Sequence, residues 1–194
     1  MSRTKEFDPD VVLDRAMELF WERGFEATSM ALLTERLGIG RASLYATFGD
    51  KHQLYLAALR RYLQTRDPDP LELLSRPGPV VPAVRALVEA YVQESLTDER
   101  RRGCLVVNSA TELLPHDQPV TQLVESSWQS LETALSSALI RARAQQELPP
   151  DRDPRALARF LLVFLQGVRV LGRATPDPDR LRDAAAQALS LLEE

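Results

Sequence analysis

Arg41, Ser43 and Thr47 face outward from the short stretch Arg41 to Phe48, which also carries Leu44 and Phe48 four residues apart. Read as a helix, the stretch turns the apolar pair inward and a small polar face outward. That face suits base edges. A guanidinium makes two parallel hydrogen bonds to guanine, a Ser or Thr hydroxyl serves a base or a phosphate, and a major groove about 12 Å wide admits one helix. Lys51 adds an ammonium to the free backbone N–H groups at the start of the next helix, a combination suited to phosphate. Other reactive side chains are sparse. Cys104, His52 and His116 are too few for a zinc site, and no Gly-rich phosphate loop occurs. A Cys104 nucleophile with His116 as base has no evident third group to orient it, so no catalysis, no metal and no cofactor are expected.

The elements that must hold this face are helical. Thr28 or Ser29 can cap a helix with Met30, Leu33 and Leu37 at helical spacing, and Gly38-Ile39-Gly40 lets the chain reverse, with Ile39 sealing the corner. On spacing alone two readings stay open, a helix-turn-helix DNA reader and a two-helix corner of any all-α protein. Upstream, Asp8 caps a helix that starts at Pro9, with Phe7 placed to staple on Val12 and with Leu13, Ala16 and Leu19 or Phe20 inward. Gly24 stops it after Arg23. Downstream, Asp50 caps a helix from Lys51 to about Arg66 with Leu54, Ala58, Leu59 and Tyr62 inward. Residues 1–6 form a loose arm carrying Arg3 and Lys5.

The run Gly38-Ile39-Gly40-Arg41-Ala42-Ser43-Leu44-Tyr45-Ala46-Thr47-Phe48-Gly49-Asp50-Lys51 resembles the DNA-binding signature of the TetR/AcrR family of bacterial one-component regulators. The likeness extends upstream through Ala16, Leu19, Phe20, Gly24, Phe25 and Thr28-Ser29, covering about the first 65 residues. It implies that Arg41, Ala42, Ser43 and Thr47 meet base edges, that Tyr45 and Lys51 meet phosphates, and that Thr28 or Ser29 adds another phosphate contact. Ala46 departs from the larger polar or aromatic residue usual at its position.

The formal charge of −4 is unevenly spread over the 194 residues. Residues 1–66 hold ten Lys/Arg against nine Asp/Glu, and the remainder 14 against 19, so an acidic whole remains compatible with an N-terminal DNA contact. No apolar run approaches the length of a membrane span, and the charged stretch Ser2 to Asp10 predicts no secretory signal; a cytoplasmic, membrane-free protein is expected. Five of the thirteen prolines fall between Pro68 and Pro82. This predicts three parts in an all-α chain: a DNA-binding domain over 1–66, a Pro-rich linker over 67–82 with at most a short turn at Leu71 to Leu74, and a helical effector-binding and dimerisation domain over 83–194.

Helical periodicity resumes at Ala83 and runs to about Leu96. Arg100-Arg101-Arg102 reads as a solvated corner, followed by helices over Cys104 to Leu114, Val120 to about Gln146, Asp153 to about Arg173, and Arg180 to Leu192. The helix from Asp153 to about Arg173 is apolar almost all round, and the one from Arg180 to Leu192 has a face of small residues. Together they predict a four-helix homodimer interface through Phe160, Phe164, Val168, Leu171, Leu181, Ala184, Ala185 and Ala188. The resemblance implies the same layout, with a core cavity for a small-molecule effector. Asn108, Thr111, Trp128 and Phe164 are candidates for lining it, and with Cys104 they make up the expected ligand site. Such a dimer would place two readers on a palindromic operator in double-stranded DNA, as a repressor released by a small, mostly apolar effector. Two alternatives remain: thiol-based redox or electrophile sensing through Cys104, at a helix N-terminus beside three arginines, and a helical interaction protein that binds no DNA.

Overall fold

The computed structural model describes residues 7–65, 69–174 and 177–193, and these residues form ten α-helices and no strand. They divide into two compact units, one drawn from residues 1–66 and 108–124, the other from 67–107 and 125–194.

In the first unit, α1 (Pro9–Arg23), α2 (Met30–Leu37), α3 (Arg41–Phe48) and α4 (Lys51–Gln64) follow the starts read from the sequence. Asp8 accepts from the Asp10 N–H, Ser29 from Leu32 and Asp50 from Gln53, so three helices are capped by their own preceding residue. Of the two glycines in the α2–α3 turn only Gly38 is left-handed, at φ +69°; Gly40, at φ −65°, is extended backbone open to other residues. The inward stripe of α1 is Val12, Ala16, Leu19 and Phe20, and Leu13 is only half-buried, because the packed face starts one residue earlier than expected. Phe20 meets Tyr55 edge-on at 5.0 Å, Trp21 meets Tyr62 at 4.9 Å, and Arg61 clasps Asp14 through two hydrogen bonds of 2.7 and 3.1 Å, so α1 and α4 pack along their length. The arm 1–6 and residues 66–68, including the expected end of α4, lie outside the described residues.

The proline-rich stretch holds more helix than its composition suggests. α5 (Pro70–Ser75) is capped by Asp69, and α6 (Val80–Thr97) begins three residues before the expected Ala83. Proline is tolerated in a first turn, where its missing N–H would have had no partner, so Pro82 sits inside α6 without breaking it. No side chain at Pro79 caps α6; Glu147 supplies the cap instead, accepting from Val80 N–H at 2.7 Å and Val81 N–H at 3.0 Å. Leu74 and Val80 join the core of the second unit with Leu87, Tyr91, Leu135 and Leu161.

α7 (Leu105–Leu113) and α8 (Gln118–Ala144) fall close to the expected bounds, as do α9 (Pro154–Ala174) and α10 (Pro178–Ser190), the last started by Asp177, which accepts from Asp179 and Arg180. α9 corrects the expected interface. Val168 on α9, and Leu181, Ala185 and Ala188 on α10, face the core of their own protomer, because α6 lies against both helices and covers them. On the same side Arg169 is buried, paired with Glu94 at 2.5 Å and lying 4.2 Å over the Tyr91 ring. Phe160, Val163, Val170 and Leu171 remain 42–71% exposed on the opposite side.

Candidate nucleic-acid interface

Leu44 is the only residue of α3 that is fully buried. It plugs the helix to the unit while Arg41, Ala42, Ser43, Tyr45 and Ala46 stand exposed and Thr47 and Phe48 are half-buried. A helix of eight residues is about 12 Å long, so nearly its whole outer surface is available to a groove. Gly40 offers no side-chain cap, and the first turn therefore presents its free N–H groups beside Arg41.

Along one ridge, Arg41 donates to the Tyr45 hydroxyl at 3.3 Å and lies 5.6 Å from the ring centre. Tyr45 is 41% exposed, far more than a packed core ring would be. The pair holds a cation and a neutral donor side by side, one long enough for a base edge and the other suited to a phosphate. Five of the expected contact residues, Arg41, Ala42, Ser43, Tyr45 and Thr47, thus share one helix.

Three others are placed differently. Thr28 is fully buried, and its hydroxyl donates to the Gly24 carbonyl at 2.6 Å, so it is removed from the contact set. Ser29, next to it, is exposed and caps α2 at 3.2 Å. The half-buried Lys51 directs its ammonium to the Phe25 carbonyl at 3.0 Å, 4.0 Å over the Phe25 ring, and ties α4 to the α1–α2 turn.

The turn and α4 rest on residues far along the chain. Glu112 of α7 accepts from the N–H groups of Phe25 and Glu26 at 3.0 and 2.8 Å, His52 pairs with Asp117 at 2.6 Å, and the Tyr55 and Ser109 hydroxyls meet at 2.8 Å in a buried bond. Burial pushes the Tyr55 hydroxyl up to about 12, the Ser109 bond only partly opposing it, so Tyr55 stays protonated at neutral pH. Sequence reasoning missed Ser109, Glu112 and Asp117, because they act across 54 to 87 residues of chain with no local signature.

The expected ligand residues are dispersed. Cys104 and Asn108 are buried, but Thr111 is exposed on α7, where its hydroxyl returns to the Asn108 carbonyl at 3.0 Å. Half-buried Trp128 keeps a shielded indole N–H without a partner, and Phe164 stacks on Phe160 with ring centres 6.2 Å apart. An open groove of about 650 Å³ between α6 and α10, edged by Arg85, Glu89, Gln93 and Arg182, contains none of them. Among the described residues, no cluster could hold a metal ion and no helix is long and apolar enough to cross a membrane.

Residues 12–58 match the family model described as bacterial regulatory proteins, tetR family, and residues 80–188 match the tetracyclin repressor-like C-terminal domain. The chain belongs to the TetR family. It is a DNA-binding transcriptional regulator, in a family whose members are not enzymes. It is 40% identical to the HTH-type transcriptional regulator YezE of Bacillus subtilis (strain 168), over all of both chains. The HTH-type transcriptional repressor ComR of Escherichia coli (strain K12) is 32% identical over 99% of this chain and 92% of its own. A cysteine mutant of the TetR family regulator CifR, solved with 26-base-pair double-strand operator DNA, superposes with a TM-score of 0.85 at 32% identity, covering 97% of this chain and 98% of that one. The family match over residues 12–58 spans α3, so the helix lies within the part of the chain that resembles the DNA-binding regulators.

Proposed function

We propose that the protein is a homodimeric repressor that holds a roughly palindromic operator and releases it when a small, mostly apolar effector binds. The observation that carries this reading is the face of α3: Arg41, Ala42, Ser43 and Tyr45 exposed, with Thr47 half-buried beside them, on a helix that a single buried leucine pins in place. Arg41 and Ser43 read base edges with Ala42 and Thr47 closing on the groove, while Tyr45 and Ser29 bind phosphates. Two readers need two chains. On α9, Phe160 and Val163 in its first half and Val170 and Leu171 two turns further on leave large apolar side chains on the outer side, and a second copy packed there removes them from water. Phe164 and Ala184, both half-buried, complete that contact. Repression is supported by ComR, which is named a repressor, and operator binding by CifR, solved on operator DNA.

A second reading replaces the effector with oxidation or alkylation of Cys104, which directly precedes α7. It is favoured by CifR, a relative solved on its operator as a cysteine mutant; the 4% exposure of Cys104 weighs against it. In either case the change in operator affinity cannot exceed the preference of the ligand or modification for the released state.

The test is a gel shift with genomic fragments, beginning with the fragment upstream of the protein's own gene, with and without a panel of apolar compounds. Binding to one short palindrome, lost in Arg41→Ala and Tyr45→Ala, supports the reading. Equal binding by both variants refutes the contact set, and Cys104→Ser separates the two modes of release.

A further inference from the structure

We propose that Glu112 is a positioning residue for the operator reader, acting through the α1–α2 turn. The inference rests on the chain reading a specific operator.

The turn from Gly24 to Ser29 carries α2, and α2 carries α3. Its backbone would otherwise leave adjacent N–H groups of Phe25 and Glu26 pointing outward. One carboxylate answers both, Oε2 accepting from Phe25 at 3.0 Å and Oε1 from Glu26 at 2.8 Å. Two successive N–H groups make a small anion-binding concavity, and bonds to a charged acceptor are about twice as strong as neutral ones. Gly24 permits the fit: its φ is +85°, and a Cβ there would stand 2.8 Å from the Glu112 carboxylate. On the other side of the same peptide, Lys51 donates to the Phe25 carbonyl.

The turn is therefore gripped by opposite charges on its two polar sides. The Tyr55–Ser109 and His52–Asp117 bonds fix α4 to the segment that bears Glu112, so the carboxylate is delivered from a seated support. Base readout tolerates displacements of only about 0.5 Å, and a turn freed from Glu112 would let α2 and α3 drift beyond that. Any change that withdraws α7 would act on the reader by the same route.

The experiment measures the affinity of the full-length protein for a duplex selected from a randomised pool and for a shuffled duplex of equal length, at one salt concentration and well below the melting temperature. In Glu112→Gln and Glu112→Ala the ratio of specific to non-specific affinity is expected to fall roughly ten-fold, with non-specific affinity unchanged, while Glu125→Ala keeps the wild-type ratio. A purely stabilising role would lower the melting temperature and leave the ratio alone; that outcome, or a ratio within two-fold of wild type, overturns the proposal. If Glu112→Ala fails to fold, Glu112→Gln decides, since it keeps the length and one acceptor oxygen. A wild-type chain that selects no sequence overturns the operator reading itself, a result distinct from a selective wild type matched by its Glu112 variants.

Discussion

Replacing Arg41 by Ala separates recognition from folding. In the free protein Arg41 is exposed and makes one 3.3 Å bond to an exposed tyrosine, so its loss should change stability by less than about 0.5 kcal/mol. On DNA, a bidentate arginine–guanine contact discriminates by about 1–3 kcal/mol. A dimer makes the contact twice, giving about 2–6 kcal/mol, or roughly 30-fold to more than 10⁴-fold in specific affinity. Fluorescence anisotropy with a labelled operator, repeated with every base pair substituted in turn, reads both the loss and its position. The expected result is a large loss on the operator, little loss on a shuffled duplex, and relaxed preference at one symmetric pair of positions. Specific affinity within two-fold of wild type, or a melting temperature lowered by many degrees, would refute the assignment of Arg41 to a base.

Tyr45→Phe removes a phosphate donor but keeps the ring, so operator and shuffled duplex should weaken together, by a few-fold each, in the same anisotropy assay. Val163→Glu, at the most exposed apolar position of α9, should give a folded monomer by sedimentation with unchanged helicity and lost operator binding. Glu147→Ala strips the remote cap of α6 and should cost about 1–2 kcal/mol in urea unfolding. Tyr55→Phe tests the buried hydroxyl pair through pH. The native state holds the Tyr55 proton up to about 12 while the unfolded chain releases it near 10, so wild-type stability is full below pH 10 and declines from pH 10 to 12. The variant should lack that part of the decline, worth up to about 3 kcal/mol; identical alkaline limbs would show that Tyr55 is not buried as described.

Local rules account for much of what could be read directly. Asp8, Ser29 and Asp50 each cap the helix that follows them, and a cap needs only a residue and the N–H two or three places on. The orientation of α3 is legible for a similar reason: helical period turns Leu44 inward, and Arg41, Ser43 and Tyr45 are left exposed. Period does not say which apolar side of a helix meets its own protomer. α9 offered hydrophobic residues on every side, and α6 decided that Val168 turns inward while Val163 is left out.

Thr28 and Ser29 were interchangeable as sequence, both capable of capping or of binding phosphate. The close approach of the Gly24 carbonyl buried one hydroxyl and left the other exposed. Likewise Glu147 over α6 and Glu112 over the α1–α2 turn are ordinary surface glutamates until the chain folds back 66 to 87 residues to meet them. The amino-acid sequence by itself determined most of the helices, the caps of α1, α2 and α4 and the outward side of α3, because each depends on neighbours within a turn or two. Tertiary structure alone decided what covers α9, which hydroxyl stays exposed and which carboxylates cap α6 and the α1–α2 turn, since those follow from surfaces brought together by packing.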